Sequence, residues 1–200
     1  MKSDLLPIDK SHGVGRPRDP RIDAAILSAA AELVVEVGYP NLTLAAIAER
    51  AGTTKTALYR RWSSKAELVH EAVFAMPSSV VAATAGDAAA DVRAMIADAR
   101  DAFTNPAVHA ALPGLLADMA GDAELTARVL ARFDDRFEAL RQWVAQAIER
   151  GDVRREVDPD RLVEVIGGAA LFGLLLRPGG DLGDDWVDQT AAVVVHGVVT

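Results

Sequence analysis

Apolar residues recur at helical spacing along most of this chain, and the polar breaks between them are short. Ile22, Ile26, Ala29, Ala30, Leu33 and Val37 form one stripe that predicts a helix from residue 20 or 21 to 37, stopped by Gly38. Leu44, Ile47, Ala48 and Ala51 then fall at i, i+3, i+4 and i+7 behind Thr43, a residue suited to cap a helix start. Gly52 stands just past that stripe, where a left-handed residue turns the chain. Thr53 or Thr54 caps the next helix, residues 55–62, which sets Leu58 and Trp62 on one side and leaves Lys55, Thr56, Ala57, Tyr59, Arg60 and Arg61 facing elsewhere. Ser64-Lys65-Ala66-Glu67 reads as a capping box, with Ser64 accepting from the Glu67 amide and Glu67 reaching back to the Ser64 amide. The helix it opens is expected to run to residue 76 and stop at Pro77.

Residues 77–87 are small and polar and mark a boundary. Beyond it the pattern predicts helices over residues 88–103, 106–120 (broken or kinked at Pro113-Gly114), 122–150, 159–176 and 184–199. The longest carries Leu125, Val129, Phe133, Phe137, Leu140, Val144 and Ile148 at intervals of four and three, a core stripe, and Gly151 closes it. The last two helices differ from the rest. One holds Gly167, Gly168, Ala169, Ala170 and Gly173 among larger apolar residues, and the other holds Val193, Val194, Val195, Val198 and Val199, so apolar residues lie on more than one face. Such helices need cover on two sides, and a second copy of the chain is the economical cover.

Charge divides the chain. The first 76 residues hold 10 basic and 9 acidic side chains and the remainder 11 and 20, so a net charge of -8 resides almost wholly in the second part. Within the first part, residues 53–65 carry Lys55, Arg60, Arg61 and Lys65 against no acid, a local field that a phosphate backbone selects. Upstream, Gly13-Val14-Gly15-Arg16-Pro17-Arg18 forms a basic arm of the kind that reaches into a minor groove through residues such as Arg16 and Arg18. At 200 residues, with 50% hydrophobic and 25% charged positions, the chain is long and apolar enough to bury a core. It has no cysteine, which excludes disulfides, thiol sensing and cysteine zinc sites and fits a cytoplasmic location. Its longest apolar run, 12 residues over 165–176, is short of the roughly 20 that span a bilayer, so no membrane partner is expected.

Two short helices, a glycine turn and a basic acid-free end have the layout of a helix-turn-helix. On GRPRDPR before the first helix, and on VGYPNLTLAAIAERAGTTKTALYRRWSSKAEL after it, the chain resembles the TetR/AcrR family of one-component transcriptional regulators over roughly residues 16–74. The rest resembles that family's variable C-terminal domains in length and helical pattern, which implies a ligand pocket that Met95, Phe103, His109, Met119, Phe133, Phe137, Trp143 and Phe172 are candidates to line. The resemblance implies an all-α protein with a flexible basic arm (1–19), a three-helix DNA-binding domain with its linking helix (20–76), and a helical ligand-binding and dimerisation domain (77–200).

It also implies residue roles. Thr43 caps the first helix of the motif and Gly52 is its turn. Thr54, Lys55, Thr56 and Ala57 stand where the reading helix meets the duplex, with Lys55, Thr56 and Ala57 at base edges. Tyr59 and Lys65 match phosphate-holding positions, Arg61 occupies a frequent histidine position, and Trp62 replaces a frequent phenylalanine. Ala57, Leu44 and Ala45 offer no side-chain donor, so base readout leans on Lys55, Thr56 and Arg60. The implied partners are a palindromic DNA operator, a small-molecule effector of unnamed identity, and a second copy docked through the last two helices; no cofactor or metal is implied. The contrasting reading is a helical enzyme built on Glu67-x-x-His70, the i, i+3 unit of di-iron bundles. Such a site needs two of these units, and the chain has one.

Overall fold

The computed structural model describes residues 20–74, 87–177 and 182–199. The arm with Arg16 and Arg18, the stop at Pro77 and the polar stretch to residue 86 lie outside these. Among the described residues ten helices follow one another: α1 (Pro20–Asn41), α2 (Leu44–Arg50), α3 (Lys55–Tyr59), α4 (Lys65–Val73), α5 (Ala88–Thr104), α6 (Pro106–Gly121), α7 (Ala123–Ala131), α8 (Asp134–Arg150), α9 (Pro159–Leu176) and α10 (Asp184–Val198). The architecture is all-α, with an isolated antiparallel bridge between Val153 and Val199.

Side-chain caps set most helix starts. Thr43, Thr54, Ser64, Asp87, Asn105, Asp122 and Asp158 each accept from a backbone amide of the turn they open. Gly38 (φ 73°, ψ 157°) breaks α1 and leaves Tyr39 to Asn41 as a final separate turn. The buried α1 stripe is shorter at both ends than its spacing suggests: Ile26, Ala29, Ala30, Leu33 and Val34 are buried, whereas Ile22 is 38% and Val37 42% exposed. The neighbouring helices α4 and α6 cover only the middle of that stripe.

Two corrections concern the body. Residues 122–150 form two helices because the chain tightens at Arg132 and Phe133, whose amides bond to Val129 and Leu130 three residues back. Asp134 and Asp135 then open α8, where the helix dipole favours acids. Conversely, Pro113-Gly114 does not divide α6, which runs through both. Gly114 is there for packing. A Cβ at this position would fall under 3.0 Å from three ring atoms of Tyr39, so the Tyr39 ring lies directly on the α6 backbone.

The apolar interior forms two clusters, and they do not follow chain order. One joins α1 to α4 with Ala107, Val108, Ala111 and Leu115 of α6 and with Leu125 and Val129 of α7. The other joins α5, α8, α9 and α10 around Ile96, Val144, Ala170 and Val187. Helices α6 and α7 therefore share a core with α1 to α4, and Phe103 packs against both clusters.

Gly114→Ala is expected to lower stability to urea by about 1–3 kcal/mol through overpacking against Tyr39, despite alanine's better helix propensity. Gly121→Ala, on the same helix with open space at its Cβ, serves as the control and is expected to be neutral or stabilising.

Candidate nucleic-acid interface and ligand cavity

Thr43 accepts from the Ala46 amide at 3.2 Å to start α2, and Thr54 accepts from the Ala57 amide at 3.3 Å to start α3. Of the two threonines that follow Gly52, the second is the cap. Gly52 has φ 62° and makes the turn between the two helices. Helix α3 is shorter than its pattern suggests, ending at Tyr59, with Arg61 and Trp62 carried on by amide bonds to Leu58 O at 2.9 and 3.0 Å. Leu58 and Trp62 are buried and fix the helix on the head. That anchoring leaves Lys55, Thr56, Tyr59 and Arg60 exposed together, with Ala57 half-buried between them. One face of α3 thus carries two cations, a hydroxyl and a phenol, the donor set that base edges and phosphates accept.

Two of the basic residues are already engaged. Arg61 pairs with Asp23 of α1 and donates to Ala57 O at 3.0 Å, so its side chain is only 14% exposed. Lys65 donates to Tyr39 O at 3.0 Å, and its ammonium lies 4.1 Å from the centroid of the Tyr39 ring. The Tyr39 hydroxyl in turn donates to the Asp118 carboxylate on α6, and burial together with that carboxylate pushes the phenol well above its ordinary pKa. The capping box at α4 differs from its expected form. Ser64 Oγ accepts from the Glu67 amide at 3.1 Å, but the Glu67 carboxylate takes the amide and hydroxyl of Ser63, at 2.9 and 2.6 Å. Those bonds and the Arg132 guanidinium outweigh burial and hold the Glu67 carboxyl below its usual range.

Behind the head, α4 to α9 line a partly open cavity of about 410 Å³. Its walls are apolar apart from His70, Asp98 and Arg136. His70 and Phe74 come from α4, so the linking helix of the head is itself part of the cavity wall. Arg132, beside the wall residue Phe133, pairs with Glu71 and, at 3.3 Å, with Glu67 of α4. Glu71 also accepts from the Trp62 indole at 2.7 Å, which extends the contact from body to reading helix. The His70 imidazole is buried, stacked near Phe74 and edge-on to Phe133 at centroid distances of 4.8 and 5.4 Å. Burial pushes its pKa down to about 4, the Arg132 charge adds to this, and Glu71 opposes it.

This pairing of a basic reading helix with a body cavity has counterparts. Two family models match the chain: the tetR family of bacterial regulatory proteins over residues 26–72, and a tetracyclin repressor-like C-terminal domain over residues 82–194. The chain belongs to the TetR family. It is 28% identical over 191 residues to the uncharacterized HTH-type transcriptional regulator YdeS of Bacillus subtilis (strain 168), covering 92% of this chain and 93% of that one. Its fold is similar to that of the TetR family transcription regulator SCO0332, with a TM-score of 0.65, 28% identity and coverage of 90% and 100%. Over 56 residues, 28% of this chain and 30% of the other, it is 39% identical to the DNA-binding transcriptional repressor TetR of Mycobacteroides abscessus.

As a TetR-family member the chain is a ligand-responsive DNA-binding transcriptional regulator. Among the residues that sequence reading offered for a pocket, Met95, Phe103, Met119, Phe133 and Phe137 line the cavity, and His109, Trp143 and Phe172 do not. Trp143 is core and donates to Asp91 at 2.8 Å, while Phe172 is 62% exposed on α9. His70, Asp98 and Arg136 were missed as wall residues. A histidine inside an apolar helical face, Leu68-Val69-His70, was the available signal for the first. The Glu67-x-x-His70 pair does not assemble a metal site: Glu67 is committed to Ser63 and Arg132. Among the described residues no group of three histidine, aspartate or glutamate side chains converges, and no helix is long and apolar enough to cross a membrane.

The low pKa of His70 has a signed consequence. The unfolded imidazole takes up its proton near pH 6.5 and the folded one near 4, so neutral His70 contributes fully above about pH 6.5 and loses its contribution as pH falls toward 4. Between pH 7.5 and 5.5 urea stability is expected to fall by about 1 kcal/mol from this group. His70→Phe should show a correspondingly shallower decline, and an unchanged decline would mean that His70 is not the group responsible.

Proposed function

We propose that the chain is a homodimeric repressor that binds a palindromic operator through α3 in the major groove and leaves it when a small molecule fills the body cavity. The observation that carries this is the exposed set Lys55, Thr56, Tyr59 and Arg60 on an α3 anchored by Leu58 and Trp62. In this reading residues 1–19 are a DNA-contacting arm with Arg16 and Arg18, residues 20–76 the reading domain, and residues 77–200 the ligand-binding and dimerisation domain. Thr43 and Thr54 present helix starts to phosphates. Lys55, Thr56, Ala57 and Arg60 read base edges, and Tyr59, Lys65 and Arg61 hold the backbone. Arg61 does so from its Asp23 pairing, and Lys65 from its seat on Tyr39. The repressor assignment follows the similarity to the Mycobacteroides abscessus repressor.

Dimerisation is supported by the outer faces of α9 and α10, where Phe172, Leu175, Leu176 and Val193 are all at least 60% exposed. A C2 pairing of these faces covers them and presents two heads, which a twofold operator requires. Ligand coupling is supported by α4, which carries cavity residues and the clasp to Arg132, and by α6, which carries cavity residues and Asp118. A ligand that favours a head spacing unfit for DNA lowers DNA affinity by the factor by which DNA lowers ligand affinity.

Titrations of operator DNA by fluorescence anisotropy at several salt concentrations test these roles. Lys65→Ala and Tyr59→Phe are expected to weaken binding to all sequences, with Lys65→Ala reducing the salt slope by about 1. Lys55→Ala should also relax base preference, costing about 1–3 kcal/mol on the preferred operator. Absence of any salt-sensitive, sequence-selective complex with the DNA flanking its own gene would sink the regulator reading.

Phe172→Asp is expected to give a monomer by sedimentation with unchanged helicity, and to lose tight binding to the full palindrome. A stable dimer in that variant would place the interface elsewhere.

A further inference from the structure

The turn that joins α7 to α8 serves two surfaces. Val129, Leu130 and Phe133 line the cavity, and Phe133 is wedged among aromatic rings, edge-on to His70 and Phe74 and stacked on Phe137. Arg132, next to Phe133 in the chain, is not a wall residue and reaches α4 instead, where it pairs with Glu71 and Glu67. The turn is tight, with the Arg132 and Phe133 amides bonded to carbonyls three residues back at 3.2 and 2.9 Å. A guest that displaces Phe133 therefore displaces Arg132 with it.

From Arg132 the contacts reach the end of the reading helix through one carboxylate. The Glu71 Oε2 atom that takes the guanidinium also accepts from the Trp62 indole at 2.7 Å. Glu67 takes the guanidinium on Oε1 at 3.3 Å, and on Oε2 the Ser63 amide and hydroxyl at 2.9 and 2.6 Å. Trp62 and Ser63 stand just after α3, and buried Trp62 is one of its two anchors. Each carboxylate thus holds a cation of the body on one side and the end of the reading helix on the other. An arginine suits that place, because its fork of N–H groups engages two acids at once in fixed directions. The Glu67 side chain is only 13% exposed, so its pairing is screened by salt less than a surface contact.

We propose that Arg132 relays occupancy of the cavity to the reading helix, through Glu71 to Trp62 and through Glu67 to Ser63. This rests on the cavity being the effector site. The relay has a made and a broken arrangement. With Phe133 in its ring cluster the guanidinium holds both acids; with Phe133 displaced the guanidinium withdraws, the carboxylates turn to water, and Trp62 loses the acceptor that orients it.

The chain has no cysteine, so Leu116→Cys creates a single attachment point in the cavity wall, at a residue 40% exposed and within reach of a reagent. Acrylodan, a neutral naphthalene that bonds to thiols and emits further to the blue in apolar surroundings, then serves as a tethered guest whose seating is read from its own emission. Met119→Cys is a second wall position should the first leave the label in water. With 5-fluorotryptophan in the full chain, the fluorine resonance of Trp62, assigned by Trp62→Phe, reports on the anchor. Trp62 does not line the cavity, so the guest acts on it through the protein. Labelling is expected to shift that resonance and to weaken operator binding about tenfold, whereas in Arg132→Gln most of the shift is lost and the weakening is about twofold or less. Arg132→Lys, which keeps the charge without the fork, should restore part of both. A purely structural role for Arg132 alters labelled and unlabelled protein alike and leaves their difference intact.

A blue-emitting label that leaves Trp62 unshifted, or a shift of full size in Arg132→Gln, would overturn the proposal. Should Arg132→Gln fail to fold, Glu71→Gln gives the same reading from the other end: its amide oxygen still accepts from Trp62, while the charge that holds Arg132 is gone. A Trp62 shift that depends on Arg132 without any loss of operator affinity would keep the relay and remove the cavity as the effector site, which separates the two readings.

Discussion

Tyr39 packs flat on the backbone of α6 at Gly114, and four contacts of the molecule meet at that residue. Its ring excludes any side chain at position 114, its hydroxyl donates to Asp118, its carbonyl accepts from Lys65, and its ring face carries the Lys65 ammonium. The break at Gly38 makes this possible by swinging the last turn of α1 away from the helix axis. A phenol buried without a partner would cost about 1–3 kcal/mol, so the Asp118 bond is a condition of the packing and not an addition to it. Through this seat the turn before the reading pair, the first turn of the linking helix and a cavity wall are held in one register.

Seen from that junction, the two apolar clusters make physical sense. Helices α6 and α7 belong by chain order to the body, yet they bury their apolar faces against α1 and α4. The DNA-reading elements are too few to enclose a core of their own; α2 and α3 together supply only 12 helical residues. Borrowing α6 and α7 solves that shortage and has a mechanical result. Any guest that moves α6 or the α7–α8 turn moves part of the head's own core, and close-packed interiors respond to such shifts by rearranging in discrete steps.

How much of this was legible in the sequence depended on whether the signal was local. Caps at Thr43, Thr54 and Ser64, the turn at Gly52 and the anchors Leu58 and Trp62 all act within a few residues, and they read correctly. Pro113-Gly114 was misread as a break because its reason lies 75 residues upstream, in the ring of Tyr39. Arg61 looked like one more cation facing DNA, since nothing near it in sequence announces Asp23 as its partner. The stop at Arg132 was hidden inside an uninterrupted apolar stripe, although Asp134-Asp135 marked the restart in plain view. Chain order likewise said nothing of α6 joining the head. Apart from the stop at Arg132, which is local, each of these misses is a long-range contact standing behind an ordinary local pattern.

The electrostatic plan follows from the same contacts. Pairing Arg61 with Asp23 and seating Lys65 on Tyr39 leaves Lys55 and Arg60 as the exposed cations at the ends of α3, so in the proposed reading base readout and backbone attraction rest on few residues. The body carries most of the excess acid and repels a phosphate backbone, which orients the chain on DNA with the head forward. A cavity inside so acidic a body gains from being neutral at its walls, because a fixed interior charge would need its own partner. His70 meets that requirement by burial: with its pKa near 4 it stays uncharged at neutral pH. Glu67 and Glu71 flank it on α4 and both pair with Arg132, so a shift of the cavity wall at His70 reaches the contact between head and body within one helix turn. Under the proposed coupling, displacement of the head therefore starts on α4 itself, and no longer pathway is required.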